Sequence, residues 1–156
     1  MANVNHSTLT DPYLHEPKGV AAAASGDVYV ADGAGSGSWT AKQTLIELSL
    51  EGYLEDVSAV EKVYVPIPFA GTVVKVLTVL EASISSSNST VTVRNAAGTS
   101  MGTLTITASG SAAGDIDVLT PVSNNTVTAN SFITVESDGA STNTAKLRFV
   151  VVLDRT

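Results

Sequence analysis

The chain has no cysteine. Disulfides, thiolate metal sites and cysteine nucleophiles are therefore excluded together. It is poor in charge, at 15% Asp, Glu, Lys and Arg, and poorest in cations, with 8 Lys and Arg against 15 Asp and Glu. The formal net charge of −7 leaves no basic stripe with which to displace counterions from duplex nucleic acid. No direct nucleic-acid partner is expected. Aromatic residues reach only 5%, few for a sugar-binding platform. No apolar run approaches the ~18 residues that span a bilayer. Met1 to His6 lacks the basic and apolar regions of a signal peptide, so the expectation is a soluble product of a cytosol with no membrane partner.

What is present favours strands. Hydrophobic residues make up 44%, too many for a disordered chain. Ser and Thr supply roughly a quarter of the residues and Val about an eighth, a composition of strands and turns. A length of 156 residues fits one compact domain with an appended arm.

Residues 1–42 read as that arm. Asp11-Pro12, Pro17, Gly19, the alanines from Ala21 to Ala24 and the glycines Gly33, Gly35 and Gly37 form a turn-rich, small-residue stretch. Val28 to Val30 interrupts it as a short strand signal. Such a stretch buries too little to offset its ordering entropy, so it is expected to be extended and to be held by another chain or domain. Residues 43–156 read as an antiparallel β-sandwich. Between Gln43 and Val57, Leu45, Ile46, Leu48, Leu50, Tyr53 and Leu54 fit part of a helical face, while Ile46, Leu48 and Leu50 alternate as in a strand; the alternation favours the strand. Beyond it come Val63 to Val65 with Pro66 and Pro68, which confine that segment to an edge or a strand end. Strands then follow at Gly71 to Leu80, Thr90 to Arg94, Leu104 to Thr107, Asp115 to Leu119, Thr126 to Thr128, Phe132 to Val135 and Lys146 to Leu153. Spacing of roughly 8–12 residues without a crossover helix is an all-β pattern. It suits a jelly roll first and an immunoglobulin-like sandwich next. Few charges protect the strand edges, so association with further copies, a trimer or another ring, is expected.

The chemistry-bearing residues are sparse. His6 and His15 both lie in the arm without a second histidine at metal spacing, and Glu16 is only a neighbouring carboxylate. Gly33, Gly35 and Gly37 lack the third glycine of GxGxxG and the Lys-Ser/Thr of a P-loop, so they read as linker. Serines are abundant, but no Gly-x-Ser-x-Gly elbow leads from strand to helix. Asp115 with Asp117, and Glu136 with Asp138, stand at i, i+2 and would share a strand face; without an EF-hand pattern they read as solvated loop carboxylates. The sequons at Asn5, Asn88 and Asn124 carry little meaning without a secretory signal. No catalytic, cofactor or metal residues are expected. Trp39 either packs on its own sandwich or anchors the arm in a pocket of another subunit. Tyr13, His15, Tyr29 and Trp39 are the candidate interface residues, with Tyr53 a weaker one.

Two segments carry a resemblance. Asp11 to Gly19, followed by Gly26 to Trp39, resembles an N-terminal module common in tailed-bacteriophage structural proteins. Asp56 to Thr78, with VYVPIPFAG at Val63 to Gly71, looks like the start of a phage virion β-sandwich that runs to Leu153. Small size, one sandwich and an arm are similar to head decoration (cement) proteins. The resemblance implies a jelly-roll-like structural protein on the capsid exterior, with the major capsid protein and its own copies as partners. A tail appendage or receptor-binding module that grips host-surface glycan is the alternative. The resemblance implies no catalytic residues and no enzyme.

Overall fold

The computed structural model describes residues 23–34, 37–40 and 47–155. Every regular element among them is a β-strand. Contacts divide the chain into two units, Met1–Thr44 and Leu45–Thr156.

The first unit contains an antiparallel hairpin of β1 (Val28–Ala31) and β2 (Gly37–Thr40), with Tyr29 opposite Trp39 and Val30 opposite Ser38. The linker reading of the glycine run is thereby corrected: Gly37 is part of a strand. Its missing side chain is what allows the pairing, because a Cβ there would collide with the Val30 carbonyl oxygen and the Tyr29 ring. The connection is turned by Asp32, whose Oδ1 accepts a 2.8 Å hydrogen bond from the Ala34 amide, and by Gly33 at φ +76°.

The second unit contains β3 (Glu47–Leu54), β4 (Val60–Ile67), β5 (Gly71–Leu80), β6 (Ser89–Asn95), β7 (Ser100–Ile106), β8 (Ile116–Leu119), β9 (Thr126–Val127), β10 (Ser131–Asp138) and β11 (Leu147–Arg155). One sheet has the order β4-β10-β6-β7, and the other β3-β11-β5-β8, with β9 also paired to β5. All pairings are antiparallel. Setting aside the two-residue β9, successive strands alternate between the sheets until the β6–β7 hairpin and then return in reverse order. That is the strand order of a jelly roll.

Strict alternation builds this unit. On β10, Ile133, Val135 and Ser137 point inward; on β6, Val91 and Val93 do; on β11, Leu147, Phe149, Val151 and Leu153 do. Within the ambiguous stretch Glu47–Leu54 is strand, with Leu48, Leu50 and Leu54 directed to the core, and Gln43 to Ile46 lie outside the described residues. Gly52 lies opposite Phe149, and a Cβ at Gly52 would strike the Phe149 ring. The phenylalanine, 1% exposed, thus fills the space its cross-strand partner leaves empty. Pro66 and the chain up to Pro68 lie in or after β4, an edge strand, where a missing N–H costs no ladder bond.

Two bulges shape the sandwich. β6 and β7 change register between Val93 and Arg94, which inserts Met101 into the core at 3% exposure. Gly102 beside it, at φ +151°, leaves room for the Leu119 side chain of β8. β5 and β11 change register between Val152 and Leu153. The inward side chains of both sheets form a single apolar core.

Candidate functional site

A sandwich spends one face of each sheet on the core and leaves the other for partners. On the sheet β4-β10-β6-β7, the outward face is centred on Glu136. Lys62 Nζ lies 2.9 Å from its Oε1 and Arg94 Nε 3.1 Å from its Oε2. Thr134 Oγ1 donates to Oε1 at 2.8 Å. Burial alone would raise the Glu136 carboxyl, but hydrogen bonds from Lys62, Thr134 and Arg94 outweigh it and hold the group below its ordinary value. The hydrogen bond to Glu136 in turn raises Lys62. Around this triad stand the cross-strand pairs Thr90–Thr105 and Thr92–Thr103. At one end, Tyr64 and Phe132 meet edge to face, with centroids 5.3 Å apart, and both are exposed.

The outward face of β3-β11-β5-β8 is of another kind. Val150, Leu77 and Val118 form one row across three strands. In the next row, Arg148, Val79 and Ile116 are aligned. Ile116 is 62% exposed and Val118 53%. Charges lie at the rim: Arg148 pairs with Glu81, and Lys146 Nζ lies 2.9 Å from Glu55 Oε2 and 4.5 Å from the Tyr53 ring centre. Lys75 is exposed on the same face of β5, beside the apolar rows; an apolar patch set among charges is the anatomy of an interface.

Three of the four carboxylates at i, i+2 are occupied structurally. Glu136 holds its two cations, while Asp138 Oδ1 accepts from the Ser89 hydroxyl and from the Thr90 and Ala140 amides. Asp115 lies just before β8 and accepts from the Ala112 amide. Asp117 faces inward opposite Thr78, beside a small cleft of about 200 Å³ lined also by Ser109, Ser111 and Asp115. Burial first, and then the neighbouring Asp115, raise the Asp117 carboxyl. Among the described residues no group of three or more His, Cys, Asp or Glu side chains could hold a metal ion.

Of the candidate interface residues, Tyr13 and His15 lie outside the described residues, as does His6. Tyr29 and Trp39 are brought together on one side of the hairpin, rings edge to face with centroids 5.4 Å apart. The Trp39 Nε1 is buried without a hydrogen-bond acceptor among the described residues. Val28 and Val30, on the other side of the hairpin, are exposed. Tyr53 stands at the rim of the apolar sheet face.

Sequence reasoning did not find the Glu136 triad, the Tyr64–Phe132 pair or the apolar face. The last had a signal: GTVVKVLTVL and KLRFVVVL are apolar at both parities, which a strand with one wet face has no need to be.

No protein-family model matches the chain, and a search of curated proteins finds no match either.

Proposed function

We propose that the chain is a structural protein of a tailed-bacteriophage particle that binds the capsid exterior as a decoration protein and clamps neighbouring major capsid subunits. The observation that carries this reading is the division into a hairpin-bearing N-terminal unit and a jelly-roll unit, coinciding with the segments that resemble phage virion modules. A two-stranded hairpin of four residues a side is marginal alone. Its exposed Val28 and Val30 and its Tyr29–Trp39 pair suit it to ordering on a neighbouring subunit. Repetition over a lattice multiplies weak contacts into firm attachment. The fold supports the reading only generally, since jelly rolls serve capsids and lectins alike.

The test is co-sedimentation of the protein with phage heads stripped of it. Saturable binding at a fixed ratio to capsid sites is expected, and Trp39→Ala should weaken it at least tenfold. Absence of head binding, with adsorption to host cells instead, would favour a receptor-binding module. The polar cleft beside Asp115 and Asp117 is the feature that favours this second reading, as a site for host-surface glycan.

A further inference from the structure

The outward face of β3-β11-β5-β8 has the properties of a buried surface. Its inner strands carry Val150, Leu77 and Val79, and its edge strand β8 carries Ile116 and Val118, both more than half exposed. The sister sheet places a carboxylate with two cations at the equivalent central position. The central outward residue is thus a charge on one face and the apolar Leu77 on the other.

We infer that this face packs against the same face of a second copy of the chain. Three features select a copy over another partner. First, two sheets of identical twist stack as the layers of a sandwich do, and a two-fold axis makes one such patch complementary to itself. Second, the rows match: a two-fold axis along the strands between β11 and β5 lays Val150 of one copy over Leu77 of the other and sets β3 over β8, so that all four strands overlap. Third, the area is adequate. Four strands at ~4.8 Å and about eight residues at ~3.3 Å give a projected face of roughly 500 Å². A stacked pair then buries on the order of 1,000 Å², the lower limit for a specific interface. Association in the micromolar range is expected.

Sedimentation velocity on the full chain, from about 5 to 500 µM, tests this without any phage component. The wild type should shift from monomer to a larger species with concentration. Val118→Lys and Leu77→Ser should each weaken the shift at least thirtyfold while far-UV circular dichroism and the melting curve stay those of a folded protein. Thr103→Lys, on the outward face of the other sheet, should leave it unchanged. A wild type monomeric throughout overturns the inference, and so does an oligomer that survives both substitutions or one that Thr103→Lys dissolves equally. Self-association without head binding would strike the capsid reading alone; head binding by a strict monomer would strike this inference alone.

Discussion

The two outer faces of the sandwich obey the same alternation rule and end up opposite in character. On β10 the central outward residue is Glu136, neutralised by Lys62 and Arg94 and surrounded by threonines. On β5 it is Leu77, flanked by Val150 and Val118. Inward residues of both sheets merge into one core, so the core does not decide which face is wet. The outward set decides it, and that set is free to vary with little effect on the fold. Stability and partner choice are therefore carried by different residues on the same strands.

The largest effect comes from breaking what the faces share. Phe149 is buried against Gly52 at the centre of the core. Phe149→Ala removes the ring from a site where glycine has nothing with which to fill the space, so the cavity persists. A loss of about 3–5 kcal/mol is expected, read as a fall in the urea midpoint at constant slope. A cost under about 1 kcal/mol would mean that the sheets pack through other residues.

Next in size is the charged face itself. Glu136→Ala leaves Lys62 and Arg94 without their shared partner, and since both cations remain partly solvated the cost should be about 1 kcal/mol. The pH dependence is sharper than the magnitude. Glu136 is held below its ordinary value in the folded state, so its contribution is present above the unfolded value and is lost as pH falls through the folded one. The wild type should lose stability below the ordinary carboxylate range more steeply than the variant does. Parallel acid limbs would show that the triad is ornamental to stability. By contrast, Leu77→Thr on the apolar face should shift stability by no more than about 1 kcal/mol, with its main effect on association.

Much of this was legible. The strands from Gly71 onward follow from alternation, and Pro66 and Pro68 confine their segment to an edge or a strand end; β4 is an edge strand that ends at Ile67. Gln43 to Val57 left helix and strand open, and the alternation of Leu48 and Leu50 was the better guide. The hairpin was only half legible. Val28 to Val30 signals a strand, but its partner is Gly37–Thr40, where glycine serves close backbone approach and local composition cannot distinguish that from a linker. The apolar face had a signal in strands apolar at both parities, but which parity of GTVVKVLTVL points inward depends on the partner strand. The same holds for Tyr64 and Phe132, since register alone places this pair outside.

The smallest effect has the opposite sign and isolates one strand edge. Asp117 sits inward on β8, opposite the buried Thr78, an inward charge of the kind that discourages edge pairing. Burial, and then Asp115, raise its carboxyl above the ordinary 3.8. The sign follows from linkage. A carboxyl that binds its proton more tightly when folded is a cost to the folded state above its folded value, and this cost vanishes below the unfolded one. Asp117 therefore adds stability as pH falls toward and through the ordinary carboxylate range. Asp56, Glu136 and Asp138, all held low by hydrogen bonds that outweigh burial, remove stability as pH falls further. Asp117→Asn keeps the shape and deletes the charge, so at pH 7 it should raise the melting temperature by about 1–2 °C, a gain that disappears near pH 4. The same variant removes the guard on the β8 edge, and sedimentation should show stronger association than wild type. A lower melting temperature at pH 7 would mean that the carboxylate is held by a favourable partner, and the edge would then be protected by its shortness alone.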